Sequence, residues 1–235
     1  MADMNRKDLI TVGSYVHICN RGAKKMQIYR QKSDLSRLVA GLFYFNSTYL
    51  PVNWTRDVEA EGGLHKLIWP KSWGDREPLV AILGYAIMPN HFHLILKEIR
   101  DGGVSAFMHK FSMGYSKYIN ARYDESGSLF QGRFKAKIIE DNTYLRHLAA
   151  YVLVKNPFEI YPSGGLIGAA EHFTDAYEWA IQYPLCSLAE YVGRHTSPIL
   201  TKDVFSELFT EPNEFKVFAE DYIKGRHAKG VVLDL

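Results

Sequence analysis

The chain has 235 residues, 47% hydrophobic and 23% charged, the balance of a soluble globular protein that buries a sizeable core as one elaborated domain or two small ones. This composition excludes disorder, collagen and a coiled coil, and two cysteines, Cys19 and Cys186, form neither a disulfide framework nor a paired-cysteine zinc site. The net charge of +2 conceals an asymmetry: residues 1–158 carry 22 Lys and Arg against 14 Asp and Glu, net +8, whereas residues 159–235 carry 6 against 12, net −6. A basic body with an acidic tail suits a polyanionic partner. No apolar run reaches the roughly 18 residues that span a bilayer, and the polar start Met1–Asp8 lacks the apolar region of a signal peptide. A cytoplasmic protein with no membrane partner is expected.

Tyr15–Asn20 (YVHICN) is rich in β-formers and stopped by Asn20-Arg21-Gly22, so it reads as a strand. Leu35, Leu38, Val39, Leu42 and Phe43 recur with three-and-four spacing and predict an amphipathic helix over 33–49. Residues 50–78, with Trp54, Trp69 and Trp73 among prolines and paired glycines, read as an insertion with one short strand near Leu64–Trp69. Its tryptophans are either core or a rim. Leu79–Met88 is a buried strand, Pro89-Asn90 a turn, and Phe92–Lys97 the next strand. Val104–Tyr123 is a helix with Phe107, Phe111, Gly114, Tyr115 and Tyr118 on one face. Phe134–Glu140 alternates as a strand. Asp141 or Asn142 then caps a helix that runs to about Lys155, before Asn156-Pro157. The order β-α-β-β-α-β implies an α+β fold: a ferredoxin-like antiparallel sheet with helices on one face, plus a C-terminal helical extension. Helices are also predicted around 170–181 and 202–208.

Within this frame two short patterns bear on chemistry. His91-Phe92-His93 opens a strand, so its two imidazoles project to one side while Phe92 enters the core. Such a pair either holds one divalent cation, leaving positions open for other ligands, or is structural. The HxHxDH pattern of a binuclear hydrolase is absent. On the later helix, Leu145, Leu148, Ala149 and Val152 form the packing stripe, and His147 and Tyr151 share another face. Tyr151 is either one of fifteen tyrosines used in packing, or a nucleophile toward phosphorus if a metal stabilises the phosphate charge.

The stretches YVHICNRG (15–22), GYAIMPNHFHLIL (84–96), YINARYDESGSLFQGRFKAKIIEDNTYLRHLAAYV (118–152) and NPFEIYP (156–162) together resemble the REP-associated tyrosine transposases, within the single-tyrosine HUH transposases. A weaker likeness covers YPLCSLAEYVGRHTSPIL (183–200). The resemblance implies that His91 and His93 bind Mg²⁺ or Mn²⁺. It also implies that Tyr151 attacks a phosphodiester of single-stranded DNA, leaving a 5′-phosphotyrosyl enzyme and a free 3′-hydroxyl, and that the reverse attack rejoins strands without ATP. The family's third ligand is an amide four residues after the tyrosine. Here Lys155 holds that place and Asn156 lies one further on, displaced by about 100° on a regular helix unless the helix ends in a wide, π-like turn. Asn156 is the expected ligand on that condition. Protonated Lys155 cannot ligate a metal, but contacts phosphate or favours the tyrosinate.

Arg21, Lys24 and Lys25 in one loop, and Gln131, Arg133 and Lys135 in another beside Gly132 and Phe134, either suit single-stranded DNA by charge and stacking or are solvated surface charge. The implied organisation is a nuclease domain over 1–162, interrupted by the 50–78 insertion, and an accessory region over 163–235. The leading expectation is a metal-dependent nicking and strand-transfer enzyme for single-stranded, hairpin-forming DNA, working as a monomer or homodimer. The alternative is a domesticated hairpin-binding protein with little or no cleavage. A replication-initiation or relaxase nickase ranks below both. The acidic tail is expected to screen the DNA groove or a protein contact, so that deleting 163–235 strengthens non-specific DNA binding.

Overall fold

In the computed structural model, which describes residues 10–201 and 208–229, β1 (Tyr15–Arg21) lies inside a four-stranded antiparallel sheet. It pairs with β3 (His91–Glu98) on one side and β4 (Lys135–Ile139) on the other, and β3 pairs outward with β2 (Val80–Met88). The order β2-β3-β1-β4 is the split βαβ arrangement that the chain order implied.

α1 (Lys32–Tyr44) and α3 (Gly103–Tyr123) pack on one face of the sheet. Val16, Ile18, Phe92, Leu94 and Leu96 meet Leu38, Leu42, Phe107, Phe111 and Tyr115 there in one buried cluster. Asp34 ties the two helices together. Its fully buried carboxylate caps α1 by accepting from the Arg30 and Gln31 backbones, and it accepts from the Tyr118 and Tyr123 hydroxyls of α3. Tyr115 and Tyr118 are therefore packing residues. Glu98, at the end of β3, caps α3 through the Gly103 and Val104 amides at 3.0 and 2.7 Å, where a carboxylate also meets the positive end of the helix.

The opposite face is covered by a continuous helical run: α4 (Asn142–Ala150), a π-helical segment (Tyr151–Lys155), and α5 (Asn156–Phe158). Around it pack α6 (Gly165–Glu171), α7 (Phe173–Gln182), α8 (Leu188–Tyr191) and α9 (Pro212–Lys229). Leu145, Leu148, Val152 and Leu153 share this second core with Phe173, Tyr177, Leu188, Phe215 and Ile223. The two helices of the repeating β-α-β unit thus lie on one face, and the C-terminal helices complete the other.

The unbroken apolar run of β2 now has its reason. Its outer edge is covered: Tyr85 donates its backbone N–H to Ser187 Oγ and accepts from the Ser187 amide, and Thr201 donates to the Ile82 carbonyl. Every residue of the strand is buried.

Three sequence expectations need correction. The first helix stops at Tyr44 rather than near 49, because Asn46 turns to bind the start of β2, accepting from the Leu79 and Val80 amides and donating to the Val80 carbonyl. The insertion has no strand at 64–69. It forms α2 (Trp54–Ala60) and a short 3-10 turn at Leu64–Lys66, flanked by positive φ at Gly63 and Leu67. Its tryptophans are not a rim: Trp54, Trp69 and Trp73 all pack around Tyr44 of α1, with ring centroids 5.3, 6.4 and 6.2 Å away. Finally, the helix expected over 170–181 is two helices, broken at His172. The helix expected over 202–208 falls on 202–207, outside the described residues, save Leu208.

Candidate functional site

The pleat of β3 sends Phe92 toward α3, where its ring meets Phe111 at 5.4 Å, and sends His91 and His93 to the other face. The two imidazoles lie 5.1 Å apart between centroids, nearly perpendicular. His91 Nδ1 donates to Asn90 Oδ1 at 2.7 Å, which leaves Nε2 as the bare nitrogen. His93 Nδ1 lies 2.9 Å from Nε2 of His17, a buried residue of β1 whose ring is nearly parallel to that of His93. Burial, with Lys137 nearby, draws His17 from 6.5 to about 4. Burial draws His91 to about 4 as well, with the charges of Arg21 and Lys155 acting the same way and Glu159 opposing. His93 is drawn well below its ordinary value, again chiefly by burial. All three rings are therefore neutral at neutral pH, the state that offers a lone pair to a cation.

Tyr151 stands above this group. Its ring is edge-on to His93 at 5.3 Å and to His17 at 6.1 Å. Lys155 Nζ lies 5.0 Å over the Tyr151 ring and pairs with Glu159 one turn later. The helix here is π-helical over Tyr151–Lys155, and the Asn156 backbone N–H donates to the Tyr151 carbonyl. The hydrogen bonds close at five residues instead of four, so position 156 comes to the face that position 155 would occupy on a regular helix. The wide turn that the spacing required is present.

Asn156 is fully buried, and neither atom of its amide has a hydrogen-bond partner. A buried amide without partners is costly, and such a donor set fits a cation ligand. Among the described residues no group of three or more His, Cys, Asp or Glu side chains is placed to hold a metal.

The two basic loops meet next to His91. Arg21 lies opposite His91 in the β1–β3 ladder. Gly22 donates to the Asn90 carbonyl and Ala23 to the Leu129 carbonyl, while Gln131 donates to the Arg21 carbonyl. Asn20 reaches the Gly132 carbonyl at 3.3 Å. A Cβ at Gly22 would stand 2.2 Å from the Met26 carbonyl oxygen, so only glycine lets the loop fold back. Lys24 and Lys25 both take positive φ, 53° and 62°, a strained state for non-glycine residues that presents both side chains to solvent. Arg21, Lys24, Lys25, Gln131 and Arg133 thus form one exposed rim. Lys135 belongs instead to β4, on the same side of the sheet as Lys137, and both are exposed.

His17 and Lys137 are the residues that sequence reasoning missed. Lys137 lies across from His17 in the β1–β4 ladder, with Nζ 4.6 Å over the Tyr144 ring. The alternation of β1 places His17 on one face, but only the β1–β3 register shows which neighbour it meets. His147, by contrast, is directed away from the histidine group, against Phe218 and Tyr222 of α9.

Residues 76–154 match the family model of "Transposase IS200 like" proteins. A solved structure described as "Structure of the REP associates tyrosine transposase bound to a REP hairpin" aligns over 86% of this chain and 93% of that chain, with 16% sequence identity and a TM-score of 0.47. No curated protein matches the chain. The matched stretch runs from before β2 through β3, α3 and β4 to just past Tyr151, and its similarity is to the kind of family that the motifs indicated. Among the described residues no helix is long and apolar enough to cross a membrane.

Proposed function

We propose that the chain is a nicking and strand-transfer enzyme acting on single-stranded, hairpin-forming DNA, with Tyr151 as nucleophile. The observation that carries this reading is Tyr151 standing edge-on to the imidazole of His93 at the start of a π turn that ends on the buried, partnerless amide of Asn156. Tyr151 Oη bonds to the phosphorus as the bond from phosphorus to the 3′ oxygen breaks. The phenol loses a proton and the departing 3′ oxygen gains one. The product is a 5′-phosphotyrosyl linkage and a 3′-hydroxyl, and attack by a 3′-hydroxyl reverses the step with no outside energy source.

His91 Nε2, His93 Nε2 and the Asn156 amide oxygen are the atoms that would hold Mg²⁺ or Mn²⁺. When bound, the cation would neutralise charge on the scissile phosphate. Lys155, held by Glu159, places its ammonium over the Tyr151 ring, within reach of a phosphate bound there. The rim of Arg21, Lys24, Lys25, Gln131 and Arg133, continued by Lys135 and Lys137, offers contacts for the DNA backbone. Among the described residues β4 is an edge strand bearing lysines, which suits that track to a strand of DNA.

A label-transfer assay tests the reading. A hairpin oligonucleotide labelled on the 3′ side of its single-stranded flank, incubated with the protein and Mn²⁺, should leave label on the protein after denaturation. Tight hairpin binding without label transfer under Mg²⁺ or Mn²⁺ would favour a domesticated hairpin binder.

A further inference from the structure

His17 is buried against one of the proposed ligands. A neutral imidazole carries one proton, on either nitrogen. At 2.9 Å the His17 Nε2 and His93 Nδ1 atoms must share one proton between them, in one of two ways. If His17 donates, the remaining proton of His93 sits on Nε2, and that nitrogen has no lone pair for a cation. If His93 donates from Nδ1, its Nε2 is bare, and His17 carries its own proton on Nδ1. That atom is buried without a hydrogen-bond partner in either case. Only the second arrangement is competent for ligation. His91 is set the same way by a different partner, since Asn90 Oδ1 accepts from its Nδ1.

We propose that His17 is a positioning residue: it accepts the Nδ1 proton of His93, holds the ring upright beneath Tyr151, and thereby commits His93 Nε2 to a divalent cation. This rests on the reading of His91 and His93 as ligands. Outer partners of this kind fix the tautomer and orientation of metal-bound histidines. Two further observations support the role. The His17 ring is nearly parallel to His93 with centroids 5.1 Å apart, and its other contact is the edge of Tyr151. A residue that only filled space between β1 and α4 would have no need of a nitrogen at Nε2.

The test uses the full chain and Mn²⁺ alone, followed by the paramagnetic resonance signal of unbound Mn²⁺. His17→Phe keeps the bulk and removes the acceptor, whereas His17→Gln places an amide oxygen near the lost Nε2. His17→Phe should keep its thermal melt and hairpin binding but bind Mn²⁺ about 10- to 100-fold more weakly. His17→Gln should recover most of that loss. In parallel, ¹⁵N-histidine spectra of the Mg²⁺-saturated wild type should show His93 protonated at Nδ1 and bare at Nε2, a readout independent of whether any variant folds. Wild-type Mn²⁺ affinity in His17→Phe would overturn the role while leaving the ligand assignment standing, whereas a proton on His93 Nε2 under Mg²⁺ would overturn both. A wild type that binds neither ion would overturn the ligand assignment and this role together.

Discussion

Asn156 donates its backbone N–H to the carbonyl of Tyr151, five residues back. That single hydrogen bond brings an amide that stands one residue too far along for a regular helix toward the tyrosine's face, where the proposed function places it. The register is restored at the cost of a π segment, which is uncommon outside functional sites. The same residue is left with two buried amide atoms and no partners.

A stability measurement follows from that orphaned amide. Asn156→Leu, similar in size, removes a buried polar group with no hydrogen bond and should stabilise the metal-free protein by about 1–3 kcal/mol in urea unfolding, while weakening Mn²⁺ binding. Asn156→Asp should retain Mn²⁺ binding. An Asn156→Leu protein that is less stable than wild type without metal would show that the amide is satisfied within the fold.

The depressed imidazoles give a pH dependence. His17 and His91 titrate near 4 when folded and near 6.5 when unfolded, mainly because burial disfavours the charged ring. Below 6.5 the unfolded chain takes up protons that the folded chain refuses, so stability falls as pH drops from about 6.5 toward 4 and is flat above 7 for these groups. Urea midpoints at pH 7.5, 6 and 5 should decline in that order, and His17→Phe should flatten the decline. An unchanged midpoint between pH 7.5 and 5 would show that the rings are protonated in the fold.

Much of this architecture is legible in the sequence. The strand β2, the His91–His93 pair and the stripe of α4 follow from apolar run length and from periods of two and 3.6. The partner of His17 is not legible, because strand alternation assigns a face but not the β1–β3 register. The insertion misleads for a related reason: Leu64–Trp69 reads as a strand and its tryptophans as either core or a rim, and the choice is made by Tyr44 on α1, a contact no local pattern shows. The tail also differs from its acidic composition. Residues 163–235 supply Phe173, Tyr177, Leu188 and Phe215 to the core beneath the Tyr151 helix, so removing them would expose that core. Screening by the tail is better tested with surface charge neutralisation, such as Glu171→Gln, in the intact chain.

Asp34 anchors the face remote from the site. Asp34→Asn should cost about 3 kcal/mol, since a fully buried carboxylate loses charge-assisted bonds from two amides and two tyrosines. Mn²⁺ affinity should be unchanged. Chemical denaturation with a parallel Mn²⁺ titration separates the two effects.

The basic rim makes an electrostatic prediction. Lys24→Glu and Arg133→Glu, both at exposed positions, should leave thermal stability unchanged and weaken hairpin binding. Each lost phosphate contact should lower the slope of log affinity against log salt by about 0.7 on a single strand. Hairpin titrations at several salt concentrations provide the check, and an unchanged slope would place the DNA elsewhere.

The central claim concerns one oxygen atom. After incubation of the protein with a hairpin oligonucleotide and Mn²⁺, proteolysis and mass spectrometry of the covalent adduct should locate a nucleotide phosphate on Tyr151, and Tyr151→Phe should yield no adduct. An adduct on another residue, or one that persists in Tyr151→Phe, would contradict the assignment.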